Sequence, residues 1–254
     1  MRITLLVLCG MLVSDLASGI EFAVTPLSDH SIFQDFDNLC GVPPYTDPFD
    51  FSVSSRTGIN RESRNVLRFA LGGLDSTGLV SARLRMFAES ESEYGTNTFN
   101  VSRLTESWSE ADASWCPRTA TASWTTQGGT FTASNQASVS IPTKFGQTIG
   151  VGGPYNEWIE WDVTEIVRDW LDGVGPNHGF IVWQTDIGNN SFNQGIDFAP
   201  SESTDASLRP QLVLEFDGSA TLPQAAWWML LLVMGATFIS IAGWYFVRRM
   251  PSRS

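Results

Sequence analysis

Read for the spacing of its apolar positions, the chain shows short runs between Glu21 and Phe216 that alternate apolar and polar residues or concentrate β-branched ones. "RNVLRFAL", "GLVSARLRMFAE", "TFNVSRL", "EWIEWDV", "GFIVWQTD" and "RPQLVLEF" are of this kind, the period-two signature of strands. In "LVSARLRMF" the positions Val80, Ala82, Leu84 and Met86 fall on one face and Ser81, Arg83 and Arg85 on the other, which predicts a half-buried antiparallel strand. One stretch changes period. In "EWIEWDVTEIVRDWLDG", residues 157–173, Ile159, Trp161 and Val163 share a strand face, with Trp158, Glu160 and Asp162 opposite. Val163, Ile166, Val167, Trp170 and Leu171 then follow helical spacing, with Asp162 as N-cap, Glu165 completing a capping-box-like start and Gly173 at C′. Residues 107–153, rich in Ser, Thr and Gly and almost free of charge, read as long loops with short edge strands. Many strands and one short helix predict an all-β fold, an antiparallel β-sandwich over residues 20–216.

Both ends follow a different pattern. Residues 1–19, "MRITLLVLCGMLVSDLASG", place Arg2 before an apolar run and then small residues, the layout of a secretory signal peptide. After a linker at 217–224, residues 225–247 run for 23 residues without a charge, long enough as a helix to cross a bilayer. Trp227, Trp228, Trp244 and Tyr245 lie near the ends of that run. The basic tail 248–254, with Arg248, Arg249 and Arg253, belongs on the cytoplasmic side by the positive-inside bias. The expected protein is exported to the envelope or cell surface, with a single C-terminal transmembrane helix.

Charge narrows the partners. The chain carries a formal net charge of −12 at pH 7, and residues 20–224 are more acidic still, with 11 basic against 26 acidic side chains. Nucleic acid and anionic lipid are therefore disfavoured. Of the three cysteines, Cys9 leaves with the signal; Cys40 and Cys116 remain, and in an oxidising compartment two leftover cysteines usually pair, the alternative being two unpaired buried thiols.

Four stretches in order resemble the DNRLRE-type domain, a family related to the archaeal disaggregatase repeats and to a carbohydrate-binding module family. They are "RNVLRFAL" with the following "VSARLRMF", then "VSRLTESWSEADASW", then "WDVTEIVRDWLDGVGPNHGFIVW", and finally "PSESTDASLRPQLVLEF". "WTTQGGTF" is similar to a loop of a bacterial subgroup. Two positions depart from the pattern: Ala70 stands where the family has Asp, and Cys116 where it has a polar residue, which fits an extra disulfide to Cys40. The resemblance implies a jelly-roll β-sandwich and an extracellular role related to polysaccharide; it does not imply catalysis. The C-terminal segment resembles the PEP-CTERM class of bacterial sorting signals, with "TLPQAAWW" standing where the motif would be, although the usual Pro-Glu-Pro is missing. A sorting peptidase acting near Leu222-Pro223 and plain anchoring are both open.

Candidate chemistry is sparse. The chain has two histidines, His30 and His178, and neither an HExxH nor a GxSxG motif, so hydrolase chemistry has little to stand on. Paired carboxylates for glycoside hydrolysis are a third-ranked reading. Binding of a polysaccharide or matrix glycan ranks first, because sugars stack on exposed aromatic faces. Trp108, Trp115, Trp161 and Trp170 match core positions of the family, leaving Trp124, Tyr155, Trp158 and Trp183 as stacking candidates. A structural envelope or biofilm-matrix protein without a sugar site is the alternative. Structural calcium is a minor expectation, from oxygen-rich loops in which Asp29, Asp35, Asp37 and Asp186 would contribute.

Overall fold

In the computed structural model the described residues are 19–34, 40, 51–56, 61–92, 97–142, 144, 153–185 and 194–217. The signal segment, the linker beyond Asp217 and the predicted transmembrane helix lie outside them. Among the described residues no helix is long and apolar enough to cross a membrane.

Thirteen strands dominate the described residues. They are β1 (Ile20–Val24), β2 (Pro26–Gln34), β3 (Ser52–Arg56), β4 (Arg61–Phe69), β5 (Leu79–Ser92), β6 (Asn97–Leu104), β7 (Pro117–Thr119), β8 (Ala122–Ser123), β9 (Phe131–Ile141), β10 (Gly153–Asp162), β11 (Phe180–Gln184), β12 (Gln194–Phe198) and β13 (Gln211–Phe216). One α-helix, α1 (Thr164–Leu171), and one 3-10 turn, Ala206–Leu208, complete the elements of the described residues. The described fold is thus all-β with a single short α-helix among those residues. Apart from the β7-β8 hairpin, every strand belongs to one antiparallel system. It divides into two leaves, β1-β13-β5-β10 and β2-β4-β11-β6-β9, joined where β12 pairs with the end of β5 and with β3.

The leaves close face to face over one core. Ala82, Leu84 and Met86 of β5 and Trp161 of β10 meet Leu67, Phe99, Phe180 and Val182 of the other leaf in a single buried cluster. Trp161 is fully buried and donates its indole N–H to the Phe99 carbonyl of the opposite leaf at 3.0 Å. That bond satisfies a polar group which burial would otherwise leave costly.

Two local readings are corrected. Val80 is 51% exposed. The pairing of β5 with β13 slips where Phe216 faces Leu79 and Glu215 faces Ser81, so Val80 is the extra residue of a bulge and Leu79 takes the inward place. The helix is capped at Val163 rather than Asp162, with no side-chain cap bond. Asp162 instead accepts from the backbone N–H and hydroxyl of Thr164, at 3.0 and 2.6 Å. The far end behaves as expected. Gly173, at φ 72°, donates to the Trp170 carbonyl while Val174 donates to that of Asp169, the two bonds of a Schellman motif.

A second, smaller core lies on the outer face of the β4-β11-β6 leaf. Residues 105–130 fold back over it, so that Trp108 and Trp124 pack on Ile32, Val66, Leu104 and Ile181. A disulfide ties Cys116 of this cover to Cys40, 76 residues away.

Candidate functional site

The four aromatic candidates separate by what covers them. Trp124 is 4% exposed, within the second core, and its indole N–H donates to the Ser114 carbonyl at 3.0 Å. Tyr155 is equally buried, with its hydroxyl donating to the Pro142 carbonyl at 3.2 Å. Stacking on a sugar needs an open ring face, so the expectation that these two rings are exposed is corrected: core packing occupies both. Trp158 is half-buried on the outer face of β10, as its strand position predicts. Phe87 meets it edge-on at 5.5 Å and the Arg85 guanidinium lies 4.7 Å from its ring centre. Arg85 is itself held by Glu160 at 2.6 Å. The surroundings of Trp158 are charged and already paired.

Trp183 differs. It is half-buried on the outer face of β11, directly opposite Asn100 of β6. The Phe131 ring lies 5.4 Å away, and the indole N–H donates to the Ser102 hydroxyl at 3.2 Å. Asn100, 2% exposed, organises the polar groups beside it. Its amide donates to the Thr185 hydroxyl at 2.8 Å, and its carbonyl oxygen accepts from Gln136 at 3.1 Å and Ser138 at 2.7 Å. Ser102 donates onward to the Gln136 carbonyl oxygen at 3.1 Å. Thr185 and Ser138 are exposed and Gln136 is half-exposed. A partly open indole therefore stands beside hydroxyls and amides whose orientation a buried asparagine sets. This is the donor and acceptor chemistry that fixes sugar hydroxyls next to a stacked ring. Strand periodicity alone could not supply Asn100, Gln136 and Ser138, because it does not say which strands are neighbours.

Gln136 also borders a second feature. β9 slips against β6 between Thr132 and Ala137, and Asn135 sits within the slip at φ 59°. The slip opens a polar cleft of about 490 Å³ toward the start of α1, with Asn135 and Gln136 on one side and Asp162, Glu165 and Arg168 on the other. Glu165 and Arg168 pair with each other along the helix side of it.

Of the calcium candidates only Asp29 is described; Asp35, Asp37 and Asp186 lie outside the described residues. Asp29 comes together with Glu110 and Glu202, their carboxylate oxygens within 4.8 Å of one another, and no spacing or motif along the chain joins these three. Both Asp29 oxygens already accept from Ser201, one from the backbone N–H at 2.9 Å and one from the hydroxyl. Burial, reinforced by the neighbouring Glu202 and Glu110 and opposed by the Ser201 bonds, raises the Asp29 carboxyl to about 6. These three could grip a divalent cation, but calcium takes six to eight oxygens and both Asp29 oxygens are already engaged. His30 and His178 are both pushed below the usual histidine range, chiefly by burial.

The sequence model of the disaggregatase related repeat domain matches residues 52–214. The matched span runs from β3 into β13 and includes Trp183, Asn100 and the cover, while β1, β2 and Cys40 precede it. No curated protein matches the chain.

Proposed function

The chain belongs to the disaggregatase-related repeat family, and from that premise we propose that it is a non-catalytic, exported envelope or cell-surface protein whose outer face around Trp183 binds polysaccharide or matrix glycan. The observation that carries the reading is the half-open Trp183 ring beside Thr185, Ser138 and Gln136, all three oriented by buried Asn100. The acidic chain favours neutral glycans over uronate-rich or sulfated ones, because like charges repel on approach. The strand orders β1-β13-β5-β10 and β4-β11-β6-β9 support a jelly-roll arrangement of the sandwich. Residues 225–247 would tether the domain to the membrane, and a sorting peptidase would act near Leu222-Pro223.

A glycan array probed with the full chain tests the reading, followed by calorimetry on the best binder. Trp183→Ala is expected to weaken binding at least about tenfold, the scale of one lost stacking contact. Trp158→Ala, on the other leaf, is expected to leave binding unchanged. Absence of any binder across a broad array, or a Trp183→Ala variant that binds as the parent does, would sink the proposal.

A further inference from the structure

A two-leaf sheet leaves edge strands, and proteins blunt such edges with charge, proline, bulges or covering side chains. Apart from the β7-β8 hairpin, four strands among the described residues pair on one side only: β1, β2, β9 and β10. β1 is five residues long and carries Glu21. β2 begins at Pro26 and slips between Pro26 and Ser28, and its Asp29 backbone N–H donates to the Glu110 side chain at 3.3 Å. β10 carries Pro154, Glu157, Glu160 and Asp162. β9, "FTASNQASVSI", has eleven residues, no charge and no proline. Its last five, Ala137 to Ile141, pair regularly with β6 and leave the other edge without a partner among the described residues. Ala137 and Val139 are only partly buried there, and Ser138 and Ser140 are exposed.

We propose that this edge pairs with the same edge of a second copy, Ala137–Ile141 running antiparallel to its twin. Antiparallel self-pairing is isologous, so each residue meets its own kind or a near neighbour about a two-fold axis. Small side chains on both faces let the two backbones approach, and pairing would bury the remaining surface of Ala137 and Val139. A second copy is the occupant the charge pattern allows: the acidic body opposes self-association wherever carboxylates would face each other, and β9 is the uncharged edge where they would not. The neighbouring β10 does not undo this. Its Glu157 and Glu160 are already paired, with Lys144 at 2.8 Å and Arg85 at 2.6 Å. The two five-stranded leaves would become one continuous sheet of antiparallel strands. Because the axis stands across the sheet, both Trp183 faces would point the same way. Where the glycan reading of Trp183 holds, the pair is a bivalent binder, but the pairing itself does not depend on it.

The test uses the full chain in detergent, without glycan, by sedimentation velocity up to about 100 µM, a range that captures micromolar association. Hydrogen exchange over residues 131–142 is followed at the same concentrations. The expected result is a reversible monomer–dimer equilibrium in which dimer formation protects the Ala137–Ile141 amides. Ser140→Lys, on an exposed side chain, should weaken association at least about tenfold by placing like charges across the axis, with the far-ultraviolet spectrum and melting point unchanged. A strictly monomeric parent overturns the proposal. So does a dimer that leaves those amides unprotected, and so does a folded Ser140→Lys variant that dimerises as the parent does.

Discussion

Asp29 is 5% exposed, and both its oxygens are held by Ser201. Its carboxyl is raised from 3.8 to about 6, chiefly by burial. A raised acid binds its proton more tightly folded than unfolded, so between these two values the native state holds more protons and stability falls as pH rises. The contribution is fully present below about 4 and is lost above about 6. Asp29→Asn keeps a neutral acceptor for Ser201 and removes the titration. Denaturant midpoints should show the variant more stable than the parent at pH 7.5, by an amount on the order of 2 kcal/mol, and close to it at pH 4. A parent that gains stability between pH 4 and 7 relative to the variant would contradict this assignment. The same scale shows what single residues disclose in sequence. The inward Trp161 and outward Trp158 were legible from strand alternation alone. Trp124 and Tyr155 were not, because what buries them, the cover over one leaf and the packing beside Pro142, is a tertiary arrangement without periodicity.

At the scale of elements, most strands and the helix announced themselves through period, and the exceptions have identifiable causes. The bulge at Val80 inverts one position that alternation assigned inward, and no local signal marks it because Leu79 and Val80 are equally apolar. β9 was expected as short edge pieces, yet it extends for eleven residues, its small uncharged side chains carrying little pattern of their own. The cover at 105–130 is the element with the least regular structure, and it hides a core that includes Ile32, Val66 and Ile181. Two devices hold it. Gly128, at φ 77°, lies where an added Cβ would come within 2.6 Å of the Trp115 ring, and the disulfide links Cys116 to Cys40 across 76 residues. Closing a loop of that length stabilises by about 4 kcal/mol on chain-entropy accounting. The double variant Cys40→Ser, Cys116→Ser should lose stability of that order in chemical denaturation. Hydrogen exchange should rise first in 105–130, with Trp161 and its neighbours still protected. Uniform loss of protection in both cores would show that the cover is not a separable layer.

For the whole molecule, the position of the chain ends relates the fold to where the protein works. Ile20 pairs with Phe216, so the described chain enters and leaves side by side. Asp217 donates to the Gly78 carbonyl at 2.7 Å, and Asp172 at the end of α1 accepts from Ser76, so the helix caps that same end. β11 runs from Phe180 near this end toward Gln184 at the other, which sets Trp183 away from the exit point. The eight linker residues 217–224 reach at most about 28 Å when extended. If residues 225–247 cross the membrane, the helix end faces the bilayer and the Trp183 surface faces outward, where polysaccharide would be met. Removal of residues 1–19 would leave Ile20, the first residue of β1, as the new N-terminus, so the proposed cleavage point coincides with the start of the fold. Intact mass of the protein from its native membrane is therefore expected to lack those residues and to fall two hydrogens short of the reduced chain, from the Cys40–Cys116 bond. The C-terminal mass then distinguishes a chain ending near Pro223, released by sorting, from one retaining Arg248 to Ser254 as a tether. A mature chain that keeps Met1 to Gly19 would overturn the reading of that segment as a cleaved signal peptide.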